Sequence, residues 1–308
     1  MERVTTIAAV RDRVAGWRAT RQTIGFVPTM GALHEGHLQL VRDAAVRADR
    51  VVVSIFVNPT QFDRADDLAA YPRDLARDEA ALAALGDAAP DLVFAPAVEE
   101  VYPTPPATSV RVAGIGDHLC GATRPGHFDA VGLVVTKLLS IVRPDLAVFG
   151  RKDRQQLEIV RRVVADLDLG VDIVASPTVR EADGVALSSR NQRLSEDERV
   201  TARALSRALR AAVEVARAAR AAGRPVQPEA LLAAARPLLD VAGVEVDYLD
   251  AVEPTTMRPT RSPVPDGGQV VLAVAAFIGP VRLIDNVEVG DRDDEQRLLD
   301  VTASSSEG

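Results

Sequence analysis

Through its first half the chain repeats one pattern: a short apolar run, a turn, then apolar residues at helical spacing. The runs are IGFV ending at Val27, VVVSIFV from Val51, LVF from Leu92, LAVFG from Leu146 and VDIVAS from Val171. They are continuous rather than alternating, which suits strands buried on both faces of a parallel sheet. Between them lie Leu38, Val41, Ala45 and Ala48, the segment 74–86, the segment from Arg124 to Val142, and the segment 155–167, all with helical periodicity. The opening MERVTTIAAVRDRVAGWRA reads as an amphipathic helix. Strand–helix alternation through Ser176 predicts an α/β fold with a doubly wound parallel sheet.

Past Pro177 the pattern changes. Ser195 and Glu198 form a capping box for a long helix to about Ala222, where Gly223 and Pro225 stop it. A second helix is predicted from about Glu229 to Leu239, and the segments 244–254 and 269–287 read as strands. The expected organisation is a first domain over 1–176, a smaller α+β domain over 177–286, and an acidic, disordered tail over 287–308.

Composition narrows the function classes. An apolar fraction of 47% is ordinary for a globular chain with a core, and 308 residues suit about two domains. No run of about 18 apolar residues predicts a membrane span, and the N-terminus lacks the apolar core of a signal peptide. One cysteine, Cys120, excludes an internal disulfide and fits a reducing cytoplasm. The net charge is −8, but from Asp285 onward eight acidic and two basic residues account for −6 of it. The rest is close to neutral, so an anionic ligand is not disfavoured, and no basic stripe supports nucleic-acid binding. Of 36 basic residues only Lys137 and Lys152 are lysine; a place that wants a compact ammonium and chance are the two readings of each, and Lys137, mid-helix, also reads as a side chain snorkelling to solvent.

The most informative stretch is FVPTMGALHEGH, from Phe26 to His37, at the first strand-to-helix turn. His34 and His37 share one face of the first helical turn. That turn also offers unpaired N–H groups and the positive end of the helix dipole, so the stretch reads as a phosphate site. Gly36 between them lets a ligand approach the backbone. Simple capping and half of a zinc site are the competing readings. Asn58 and Gln61 follow the next strand, and in open α/β sheets ligands bind beyond the carboxyl ends of strands. Gln61 reads either as a donor and acceptor for a hydroxyl-bearing acid or as a turn residue facing water. Arg124 and His127 stand at another helix start, as capping groups or anion contacts. Gly150-Arg151-Lys152-Asp153 ends a third strand. Lys152 suits phosphate oxygens there, Asp153 suits a magnesium ion, and Gln156 lies on the same side as Asp153, with plain surface charge at a helix start as the competing reading. In the second half, Leu187-Ser188-Ser189-Arg190 is a small cationic loop able to clasp phosphates. No G-x-G-x-x-G follows a strand and no P-loop is present.

Taken together, VPTMGALHEGH, FVNPTQF, GHFDAV, FGRKD with Gln155-Gln156 after it, LSSRN and RLIDN resemble the pantothenate synthetase, or pantoate–β-alanine ligase, family in order and spacing. The likeness runs from the first helix to about Asn286. It implies a Rossmann-like doubly wound sheet of the nucleotidyltransferase (HxGH) type with a smaller α+β C-terminal lid domain. It also implies ATP-dependent joining of (R)-pantoate and β-alanine, with magnesium, in a cytoplasmic homodimer. By motif match, Met30, Gly31, Ala32, Leu33, His34, Glu35, Gly36 and His37 would lie along ATP, with His37, His34 and Lys152 in the reaction. Gly150, Arg151, Lys152, Asp153, Val179, Leu187, Ser188, Ser189 and Arg190 would complete the ATP site, with Asp153 near the metal. Gln61 and Gln156 would hold pantoate, and Gln61 would also lie near β-alanine. Leu187 stands where methionine is usual, Arg151 fills a variable position, and Ala130 replaces a common glycine. Another adenylyltransferase and a nucleotide-binding sensor without turnover are the alternatives to be separated by experiment.

Overall fold

The computed structural model of the chain describes residues 1–62 and 65–300. In chain order its elements are β1 (Glu2–Val4), α1 (Ile7–Ala19), β2 (Ile24–Thr29), α2 (Glu35–Ala45), β3 (Arg50–Ile55), α3 (Ala65–Ala70), α4 (Leu75–Ala83), β4 (Leu92–Phe94), α5 (Val98–Val101), α6 (Cys120–Thr123), α7 (His127–Val142), β5 (Leu146–Gly150), α8 (Arg154–Asp166) and β6 (Asp172–Ser176). Then follow α9 (Glu196–Ala221), α10 (Pro228–Leu239), β7 (Val244–Val252), β8 (Val270–Ile278), β9 (Val281–Val289) and α11 (Arg292–Asp300). These residues form two compact units. The first comprises 1–116, 124–151 and 155–176; the second comprises 117–123, 152–154 and the chain from Pro177.

The first unit is a parallel six-stranded sheet in the order β1-β4-β3-β2-β5-β6. Its inner strands, β2 to β5, are apolar on both faces because both faces are covered. Phe26, Val52, Phe94, Ala147 and Phe149 pack with α1, α7 and α8 through Val10, Val14, Val135, Leu139, Leu157 and Val160. Their strand neighbours Val27, Val53, Val93 and Val148 point the other way, onto Leu40, Val41 and Ala44 of α2 and Leu82 of α4. The period of two along each strand thus divides it between two cores. The chain builds outward from β2 to β3 and β4, then returns to the other side of β2 for β5 and β6. The reversal between β2 and β5 is the switch point at which α/β sheets open a crevice beyond their strand ends.

The second unit has an antiparallel sheet, β7-β8-β9. Leu205, Leu209 and Val213 of α9 and Leu231 and Leu239 of α10 cover Leu272, Val274, Leu283 and Val287. Ser195 caps α9 as the sequence predicts: its hydroxyl accepts from Glu198 N, and the Glu198 carboxylate accepts from Ser195 N at 2.8 Å. A two-residue turn, Gly279-Pro280, folds the 269–287 segment into β8 and β9.

Two features differ from the sequence expectation. The chain opens with β1 rather than directly with a helix; three residues are too few to show a period, yet Arg3 pairs in register with Val93. The acidic segment expected as a disordered tail from 287 is instead the end of β9 followed by α11. Its order has specific causes. The Glu295 carboxylate meets Arg217 and Arg220 at 3.3 and 2.7 Å, Asp294 accepts from Glu288 N at 2.7 Å, and Leu298 is buried in the core. The part of that expectation on 301–308 lies outside the described residues. Among the described residues no helix is long and apolar enough to cross a membrane.

Ser195→Ala removes one half of the α9 capping box and is expected to cost about 1 kcal/mol. Urea unfolding followed by circular dichroism checks it; an unchanged midpoint would show that tertiary packing alone sets the start of α9.

Candidate functional site

Beyond β2 the chain turns under tight constraint. Gly31 has φ +78° and Ala32 φ +52°, both in the left-handed region. A Cβ at Gly31 would stand 2.8 Å from Asp78 Oδ2 and 3.1 Å from a methyl of Ile55, so only glycine fits. Asp78, buried in α4, accepts N–H bonds from Ala32 at 2.9 Å and Leu33 at 2.7 Å. Thr29 Oγ1 accepts from Gly31 N and donates to Ser54 O. Burial pushes the Asp78 carboxyl above its ordinary range, opposed by those two N–H bonds. No sequence signal identified Asp78, since a lone aspartate in an amphipathic helix reads as surface.

His34 follows as the extended N-cap of α2. Its Nδ1 accepts from Gly36 N at 3.1 Å, and His37 Nδ1 accepts from His34 N at 3.4 Å. This is a capping box made of two imidazoles, with ring centroids 4.1 Å apart. A neutral ring that accepts at Nδ1 carries its proton on Nε2. Each ring therefore caps through Nδ1 and carries its proton on Nε2, so the capping reading holds. Glu35 does not join them, because its carboxylate pairs with Arg42 on the exposed side. Among the described residues no group of three or more His, Cys, Asp or Glu side chains is arranged to hold a metal ion.

A second polar cluster lies at the end of β3. Asn58 is buried; its Oδ1 accepts from Tyr102 Oη at 3.1 Å and Thr60 Oγ1 at 3.0 Å, and its Nδ2 donates to Gln61 Oε1 at 3.1 Å. Gln61 Nε2 in turn lies 2.9 Å from the Met30 sulfur. The Gln61 carbonyl accepts from Arg124 Nη2 at 3.2 Å and from His127 Nδ1 at 3.0 Å. Since a carbonyl only accepts, His127 carries its proton on Nδ1, and its Nε2 faces Arg124 Nη1 at 3.3 Å. These two groups at the start of α7 fix the Gln61 backbone. Sequence reasoning left them between capping and anion binding, and missed Tyr102. Lys137 lies over the Tyr102 ring, 5.4 Å from its centroid, rather than simply reaching for solvent. Gln156 is half-buried in the first turn of α8, which follows β5, ending at Gly150, and a short turn that begins at Arg151.

The other sequence-predicted residues belong to the second unit. Lys152 Nζ is 3.8 Å from Asp153 Oδ2; the lysine side chain is 18% exposed and the aspartate 51%. Val179 O accepts from Leu187 N at 2.9 Å, which closes the 179–187 loop at its neck. Ser188 caps the short 3₁₀ turn Ser189–Arg193, accepting from Arg190 N at 3.3 Å. Asn191 donates to Glu181 Oε1 and Ala186 O, and Arg199 and Arg203 of α9 reach Asp183. The loop with Ser188, Ser189 and Arg190 is thus braced from several directions. Cys120, at the start of α6, packs with its sulfur 3.2 Å from Tyr248 Oη.

Comparison with known proteins identifies the family. The family model described as pantoate-beta-alanine ligase matches residues 2–288. The pantothenate synthetase of Pseudomonas aeruginosa is 50% identical over 291 residues, 94% of this chain and 99% of that protein. The one from Cereibacter sphaeroides is 52% identical over 285 residues, 92% and 98% of the two chains. Among solved structures, pantothenate synthetase from Thermus thermophilus superposes with a TM-score of 0.83 at 45% identity, covering 94% of this chain and 99% of the other. A pantoate-beta-alanine ligase from Francisella tularensis, solved with a β,γ ATP ligand and β-alanine, gives 0.72 at 31% identity, with 93% and 97% coverage.

Asp78→Asn keeps the shape but turns one acceptor into an NH₂ donor facing a backbone N–H. The expected loss is about 1–3 kcal/mol of stability, read by urea unfolding. The wild-type carboxyl has a raised folded-state pKa. Its contribution is therefore fullest below the ordinary aspartate range and declines as pH rises through the folded value. The gap between wild type and variant should accordingly be wider at pH 4 than at pH 7. The opposite order would show that the N–H bonds outweigh burial.

Proposed function

The chain belongs to the pantoate–β-alanine ligase family, and from that membership we propose that it joins (R)-pantoate to β-alanine using ATP, releasing AMP and pyrophosphate. The observation that carries the proposal is the turn after β2. Two imidazole Nε2–H donors and the N-terminus of α2 stand at the carboxyl end of a central strand, beside the switch point of the sheet. Such an arrangement suits a phosphate.

A carboxylate does not acylate an amine until it is activated. In the proposed first step a pantoate carboxylate oxygen attacks the α-phosphorus of ATP. The bond from that phosphorus to the bridging oxygen breaks, giving pantoyl adenylate and pyrophosphate. In the second step the β-alanine nitrogen attacks the acyl carbon. The carbon–oxygen bond to AMP breaks, the nitrogen loses a proton, and pantothenate forms. Negative charge grows on phosphate oxygens in the first step and on the departing AMP in the second. Such charge calls for placed donors and cations rather than a protein nucleophile. Met30 through His37 are assigned to ATP, with the His34 and His37 Nε2–H groups donating to its phosphates. Gly150, Arg151, Lys152, Val179, Leu187, Ser188, Ser189 and Arg190 are assigned to the same nucleotide. Gln61 and Gln156 are assigned to pantoate. Gln61 fits because each of its amide atoms makes one bond in the structure and has capacity for another.

Magnesium is part of the proposal. Asp153 is an exposed carboxylate, a donor type that suits an ion whose remaining ligands are waters and phosphate oxygens. Bound there, the ion would neutralise charge on the triphosphate.

Full-length enzyme with ATP, pantoate and β-alanine is expected to yield AMP, pyrophosphate and pantothenate by mass detection, with pyrophosphate released on pantoate alone. Pyrophosphate release with another acid instead would make the protein a different adenylating enzyme, and ATP binding without turnover would make it a sensor. His37→Ala and Lys152→Ala are each expected to slow pyrophosphate release on the order of 10²–10³-fold with the fold retained. Wild-type rates in both would reject these assignments.

A cytoplasmic homodimer completes the reading. Light scattering on the eluting protein is expected to give twice the chain mass; a mass equal to one chain would remove the dimer from the proposal.

A further inference from the structure

The RLIDN segment of β9 supplies no residue to the roles above, yet two of its three polar residues are buried, Asp285 at 3% and Asn286 at 7% exposure. Successive residues on a strand face opposite sides of the sheet. Asp285 shares a side with Leu283 and Val287, under α9. There it takes the fork of Arg180, whose Nη1 and Nη2 stand 2.7 and 2.9 Å from its carboxylate oxygens. Arg180 also donates to Gly184 O at 3.1 Å, so the pair holds the loop that carries Ser188, Ser189 and Arg190. On the opposite side, Asn286 Nδ2 donates to the Lys152 carbonyl at 2.8 Å. Two residues further along both segments, Glu288 pairs with Arg154 at 2.6 Å in a buried ion pair. One dipeptide therefore fixes two pieces of chain that are far apart in sequence. Both pieces bear cations assigned to the triphosphate.

We infer that Asp285 and Asn286 are positioning residues, which set the Lys152 backbone and the Ser188–Arg190 loop in a common frame within the second unit. The inference rests on the assignment of those segments to ATP. The physical reason is preorganisation. A lysine on a loose turn spreads its charge over many positions, whereas one whose carbonyl is held, and whose chain is held again two residues later, projects from a defined point. A bidentate guanidinium–carboxylate pair does the same for the loop.

Asp285→Asn breaks a buried ion pair and is expected to lose folded protein, so the decisive variant is Asn286→Ala. It is made in the full-length chain, alone and together with Lys152→Ala, and pyrophosphate release is measured at varied ATP and pantoate. If Asn286 acts through Lys152, the single substitution lowers kcat by ~10- to 100-fold and leaves the KM for pantoate unchanged. In the Lys152→Ala background the same substitution then changes kcat less than about twofold, because coupled residues are not additive. Equal losses in both backgrounds would overturn the inference, and so would a wild-type rate in the single variant. The wild-type reaction separates this from the parent reading. If wild type makes no pyrophosphate with pantoate, the proposed function fails, and calorimetric ATP affinities of the same four chains decide the coupling on their own.

Discussion

Two backbone N–H groups, those of Ala32 and Leu33, converge on one buried carboxylate, and the turn after β2 depends on it. The chain leaves a strand, passes through two left-handed residues and enters a helix within a few positions. Each reversal exposes backbone donors that a parallel sheet cannot satisfy. Asp78 satisfies two of them from below. The next ones are taken by His34 and His37, which cap α2 from above. Because the capping uses Nδ1, the tautomer of both rings follows from backbone geometry rather than from any ligand. A fixed Nε2–H on each ring is thus a by-product of starting a helix correctly.

Legibility in the sequence followed the range of the interactions. The parallel sheet was plain because burial on both faces leaves continuous apolar runs, as in Val51–Val57, and helices between them leave a period. The α9 cap was plain because Ser195 and Glu198 are three apart. Asp78 was invisible because its partners lie more than forty positions earlier in the chain. The same holds for Tyr102 on Asn58, a contact across 44 positions. The tail misled for another reason. Its acidity reads as solvation, but Glu295 is matched by Arg217 and Arg220 on a helix some 75 residues away. Charge composition cannot reveal which charges are paired.

The two lysines illustrate what scarcity can and cannot say. Lys137 lies over an aromatic ring and Lys152 beside Asp153 in a turn just past β5, contacts that a guanidinium also makes. Only the second is adjacent to groups assigned to the nucleotide. Rarity flagged both positions, and the surrounding side chains separated their roles.

The side of the small antiparallel sheet that faces away from its core has a consequence for how the chain is made. Arg282, Asn286 and Glu288 on that side bond to Thr123, to the Lys152 carbonyl and to Arg154, all synthesised long before β9. A polypeptide beginning at Pro177 would retain the sheet and α9 but present a buried-type carboxylate with no counter-charge, a costly state. During translation the earlier segments must wait for their strand. β9, which emerges well after those segments, completes the surroundings of Lys152, and folding in order from the N-terminus cannot finish that turn early.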